Sequence, residues 1–101
     1  MKRWTPIKYR EFYDIPRIFL AEHDSGVFLF DCPFDDDKDE YGETYKVYLM
    51  PKLDEKDLAG GWQKLPAQAK RLLGEIRTTE IEFDPTFRQQ VSLAVLSRFG
   101  F

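Results

Sequence analysis

Residues 15–33 read IPRIFLAEHDSGVFLFDCP. Two apolar runs, Ile18-Phe19-Leu20-Ala21 and Val27-Phe28-Leu29-Phe30, flank Asp24-Ser25-Gly26. Asp opening a type I turn and Gly at a left-handed position predict a hairpin closed by a three-residue loop. That loop sets His23 opposite Val27, Leu20 opposite Phe30 and Ile18 opposite Cys32. Side chains alternate with period two, so a one-residue slip regroups the partners but leaves both faces apolar. A ribbon that is apolar front and back needs a cover on each side.

Outward from the hairpin, the pattern is that of one domain. With 101 residues the chain has the commonest domain size, and it reads as a single compact domain over residues 1–101. Aromatic residues make up 16% of it, which points to a core filled largely by rings. Ile7 to Tyr13 alternates loosely and reads as a strand. Thr44 to Met50 reads as another, stopped by Pro51, and Phe34 to Glu43 as a polar connection. Asp54 to Leu58 suits one helical turn before Ala59-Gly60-Gly61. Apolar residues at 62, 65, 69, 72, 73 and 76 have helical spacing, with Pro66 at the start and Gly74 at the stop, predicting a helix near 66–73. Thr79, Ile81 and Phe83 alternate with Glu80 and Glu82 as a half-buried strand. Asp84-Pro85 resembles a helix start, so a second helix is expected near 86–98, with a strand through Val91, Leu93 and Val95 as the alternative. The expected class is α+β, an antiparallel β-meander of three to five strands with two helices packed on it. Those helices, or a second copy of the chain, are the expected covers of the hairpin.

Several chemistries are disfavoured. One cysteine, Cys32, allows no internal disulfide and argues for a reducing, cytoplasmic setting. The first ten residues lack the apolar run of a signal peptide, and no 18-residue apolar stretch exists to span a membrane as a helix. In the three-residue register Cys32 lies five positions from His23, the only histidine, or roughly 16 Å at strand rise. That distance rules out a thiol–imidazole pair within the hairpin. One His and one Cys make no zinc site, and no glycine-rich phosphate loop is present, so no cofactor is expected.

Charge is unevenly placed. Net charge is −3, yet residues 24–57 carry eleven acidic against four basic groups. This central acidity and the scatter of basic residues argue against nucleic acid as a partner. Asp35, Asp37 and Asp39 have the spacing that opens a calcium loop and are the candidate metal ligands. The same template wants Gly and Glu where Glu40 and Lys46 stand, so a solvated connection that keeps a strand end soluble is favoured. Four residues are candidates for binding. Arg17 and Asp31 are placed diagonally on one face, about 7–8 Å apart, as either an ion pair or the charged rim of a patch holding Phe19. Trp62 is either an anchor at the core's edge or an exposed contact. Two functions follow: a non-enzymatic interaction module that self-associates or binds a protein through sheet surface or edge, and, second, a carboxylate-based or divalent-metal-dependent protein using Asp35–Asp39.

Overall fold

The structure is a computed structural model that describes residues 4–23, 26–84, 90–92, 94 and 99. Six strands form one antiparallel sheet in the order β7-β6-β3-β2-β1-β8: β1 (Trp4–Tyr13), β2 (Ile15–His23), β3 (Gly26–Asp31), β6 (Thr44–Met50), β7 (Arg71–Arg77) and β8 (Gln90–Ser92). Two short strands, β4 (Phe34–Asp35) and β5 (Glu40–Tyr41), pair as a separate ribbon.

The hairpin of residues 15–33 is β2 and β3, and its register is one residue away from the expected one. Phe19 faces Phe30, Leu20 faces Leu29 and Ala21 faces Phe28, while His23 already pairs with Gly26. Only residues 24 and 25 lie between the paired ends, so the connection is two residues rather than three. Both faces remain apolar, as the alternation requires. One carries Phe19, Ala21, Phe28, Phe30 and Cys32; the other carries Ile18, Leu20 and Leu29. All eight are buried.

The chain supplies both covers itself, and among the described residues the only helix in either is the short one that contributes Leu58 to the outer face. Beyond β7, residues 82–84 pair with the outer side of β8, through a Phe83–Val91 bridge and hydrogen bonds Asp84 N to Gln90 O and Ser92 N to Glu82 O. In a flat sheet, six strand spacings would separate residue 82 from β7, about 29 Å. Five residues beyond Arg77 reach at most ~18 Å. The sheet therefore curls until its two edges approach. Inside the curl lie the hairpin's ring-bearing face, Tyr45, Val47, Ile76, Ile81 and Val91. The rings interlock: Phe19 and Phe30 stack at 4.6 Å between centroids, and Tyr45 meets both edge-on. The Tyr45 hydroxyl donates to the Pro16 carbonyl.

The convex face is covered by the excursion between β6 and β7. Leu53, Leu58, Trp62, Leu65 and Ala69 pack there on Ile18, Leu20, Leu29 and Met50. A one-turn helix, α1 (Glu55–Ala59), starts this excursion where the sequence placed a turn, with Asp54 capping the Asp57 amide.

Among the described residues, the expected meander with two packed helices is thus replaced by a curled six-stranded sheet, a two-stranded ribbon and one short helix. The span 66–73 splits into a 3₁₀ turn, Leu65–Gln68, and the first residues of β7. Its helical spacing was real only in part. Trp62, Leu65 and Ala69 do share the outer face, but the Lys70 amide is captured by the Leu49 carbonyl and strand pairing begins there. A register irregularity follows between Val47 and Tyr48, with Gly74 opposite Val47 at φ 155°, a conformation that favours glycine. Residues 90–92 of the second expected helix are a strand, held by pairing on both sides; most of the rest of that span lies outside the described residues. Of the strand expected over Thr79–Phe83, Thr79 and Glu80 lie instead in a 3₁₀ turn, Thr78–Glu80, while Ile81 is buried and Phe83 makes an antiparallel bridge to Val91. Among the described residues no helix is long and apolar enough to cross a membrane.

Candidate functional site

The β4–β5 ribbon lies against the end of the sheet where β1 passes into β2 and β3 ends, in contact with Tyr13, Arg17 and Cys32. Asp35 accepts, through Oδ1, hydrogen bonds from the Asp37 and Lys38 amides at 3.0 and 3.3 Å, an Asx turn that reverses the chain. Asp39 takes the left-handed conformation at φ 54°, which Asp tolerates better than most residues. The acidic stretch therefore spends one carboxylate on its own turn. Among the described residues no three His, Cys, Asp or Glu side chains are grouped to share a metal ion, so Asp35, Asp37 and Asp39 form no such cluster.

Arg17 fastens the ribbon to the sheet. Its Nε donates to the Tyr13 carbonyl at 3.0 Å, and its Nη1 donates to the Gly42 carbonyl at 3.4 Å and to Cys32 Sγ at 3.7 Å. The Cys32 thiol donates to the same Gly42 carbonyl at 3.1 Å. The guanidinium lies 4.8 Å from the centre of the Tyr41 ring. Burial pushes the Cys32 thiol up from its ordinary value, against the pull of Arg17, and the side chain is inaccessible. A buried, protonated thiol is a poor nucleophile.

Around this fastening two rings, Tyr13 and Phe34, are exposed and Tyr41 is half-buried. Tyr13 stacks on Tyr41 at 5.6 Å, and Phe34 meets Tyr41 edge-on at 5.1 Å. With Arg17, Asp39 and Glu40 they line a cleft of about 440 Å³. Four large hydrophobic side chains are exposed among the described residues: Phe12, Tyr13, Phe34 and Leu72. Tyr13 and Phe34 line this cleft, whereas Phe12, next to Tyr13 in sequence, and Leu72 do not. Left-handed backbone at Glu11 (φ 55°) and Asp14 (φ 66°) brackets Phe12 and Tyr13. A non-glycine residue in that region is uncommon and is held by its surroundings. Here the Glu11 carboxylate accepts from Gln63 Nε2 at 3.2 Å, while the Phe12 ring turns to Tyr9.

The residues singled out in the sequence are dispersed. Ile18 pairs with Asp31, so Arg17 is opposite Cys32 and points to the other face from Asp31. The diagonal pair is not formed. Asp31 instead sits across from Lys46, half-buried; its carboxyl is raised from the ordinary range by burial and by the Glu11 carboxylate, with Lys46 offsetting part. Phe19 is at the centre of the inner cluster with no exposed surface. Trp62 is 2% exposed, its Nε1 donating to the Leu58 carbonyl at 3.2 Å and Arg10 lying over its ring at 5.0 Å. Of the four binding candidates, only Arg17 lines the cleft. Tyr13, Phe34 and Tyr41 did not stand out in the sequence. Two rings in the otherwise polar run FDDDKDEYGE were the available signal: apolar residues in a loop, without a periodic partner, have no stripe to join.

Comparison of the chain with protein-family models, with curated proteins and with solved structures finds no match.

Proposed function

We propose that this protein is a non-enzymatic interaction module that docks a protein partner on the aromatic end of its curled sheet, around Tyr13, Phe34 and Tyr41. One observation carries the reading. Two of the four exposed large hydrophobics among the described residues, Tyr13 and Phe34, line one cleft at that end together with the half-buried Tyr41, although the inner and outer faces of the sheet are already filled. Tyrosine and other aromatic side chains are enriched where partners bind, because they bury much area at little cost in side-chain freedom. The excursion 51–70 packs on the outer face and Ile76, Ile81 and Val91 on the inner one, so the hairpin needs no second copy as a cover. A docking role is compatible with the cytoplasmic setting suggested by a single free cysteine. No grouping of acidic side chains among the described residues favours the metal-dependent alternative.

Selection of random peptides on the protein tests this reading. Peptides that bind the parent should lose about tenfold or more in affinity on a Tyr13→Ser/Phe34→Ser variant of unchanged fold, the scale of losing one or two aromatic contacts. Binders indifferent to that variant would overturn it.

A further inference from the structure

The cleft at the aromatic end has a charge as well as a shape, and the two together specify what it accepts. Residues 34–43 hold six carboxylates and one lysine. Two of those carboxylates, Asp39 and Glu40, line the cleft directly. Its one cation among the described residues, Arg17, is engaged with the Tyr13 and Gly42 carbonyls and with the Tyr41 ring. An anionic partner would meet the surrounding carboxylates, and recruiting Arg17 would loosen the ribbon that forms the cleft. A cationic partner meets no such conflict. The exposed Tyr13 and Phe34 rings attract cations over their faces, and carboxylates beside them complete the charge. The chain already uses this contact twice on its own cations, Arg17 over Tyr41 and Arg10 over Trp62. A cleft of about 440 Å³ admits a long side chain rather than a domain.

We propose that the occupant of this end is a basic segment of a partner protein, with a lysine or arginine side chain laid against Tyr13 and Phe34 and its charge facing Asp39 and Glu40. The proposal rests on the reading of this end as a docking surface and adds the chemistry of what docks.

Fluorescence anisotropy with three labelled peptides of equal length tests it: one of alternating basic and Gly/Ser residues, one with glutamate at the basic positions, and one with glutamine there. Titrations run near 150 mM salt, where a Debye length of ~8 Å mutes unspecific attraction. The basic peptide should bind about tenfold or more tighter than the other two. That margin should fall about tenfold in Tyr13→Ser/Phe34→Ser, which leaves the charge unchanged, and by a similar factor in Asp39→Asn/Glu40→Gln. Leu72→Ser, an exposed apolar change on β7, should leave it intact. Phe34→Ser alone serves if the double ring variant does not fold. Equal binding of the three peptides overturns the proposal. So does a basic-peptide affinity indifferent to the ring variants, since charge without stacking would then account for it. Acidic or purely apolar peptides that bind this end in the random selection would keep the docking surface and overturn its basic occupant.

Discussion

Two aromatic clusters in this chain are built from the same residue types and differ in what surrounds them. Phe19, Phe30 and Tyr45 sit inside the curl with no exposed surface. Tyr13, Phe34 and Tyr41 have similar ring-to-ring distances at the sheet's end, yet Tyr13 is 62% and Phe34 43% exposed. The inner cluster contributes to stability through area removed from water. The outer one leaves part of that contribution unrealised in the isolated chain and available to a partner.

Substitutions should separate the two clusters. Phe30→Ala opens a cavity among rings and strands fixed by pairing on both sides, and should cost about 3–5 kcal/mol in urea unfolding. Trp62→Ala, on the convex face, should cost a similar amount by removing the main lid over Leu20 and Leu29. Phe34→Ala should stay within about 1 kcal/mol. A loss at Phe34 as large as at Phe30 would erase the contrast.

Tyr45→Phe removes one oxygen and leaves the buried Pro16 carbonyl without its donor, an expected cost of about 1–3 kcal/mol. Tyr45 also carries a pH signature. Burial raises its hydroxyl well above the ordinary tyrosine value, so the folded state holds this proton more tightly than the unfolded one. The Tyr45 contribution to stability should be level below pH ~10 and fall as pH climbs above it, with a shallower fall in Tyr45→Phe.

How much of this was legible depends on which forces act locally. The strand Thr44–Met50, the one-turn helix after Asp54 and the two-faced hairpin follow from alternation, capping and turn residues, and all are present. The hairpin's register was not fixed by sequence, because Phe19 and Ile18 are equally apolar and either could face inward. The stretch 66–73 misled because its Leu and Ala spacing suits a helix, whereas pairing with Leu49 lies some twenty residues away in sequence. The acidic ribbon is the opposite case. Asp35 announces a turn, but where the ribbon lies on the sheet depends on Arg17 reaching Gly42, a contact no local pattern contains.

Smaller effects sharpen the picture further. The half-buried Asp31 carboxyl is raised, so its ionised form weakens the folded state as pH rises from the acid range. Asp31→Asn should therefore raise the melting temperature at pH 7 and lose that advantage near pH 3, where the carboxyl is protonated in both states. A gain that persists at low pH would place its cause elsewhere. Smallest in energy is Cys32. Its thiol should react with an aromatic disulfide reagent far more slowly in the native protein than in urea, because opening must precede attack. Fast native reaction would contradict the seal formed by Arg17 and Gly42.

The most direct measurement is thermal melting of Tyr13→Ser/Phe34→Ser beside Phe30→Ala. If the outer rings are surplus to folding, the double variant should melt within about 8 °C of the parent while Phe30→Ala falls by about 15 °C or more. A double variant that melts as low as Phe30→Ala would show that these rings hold the fold together, and the docking surface would have to be given up.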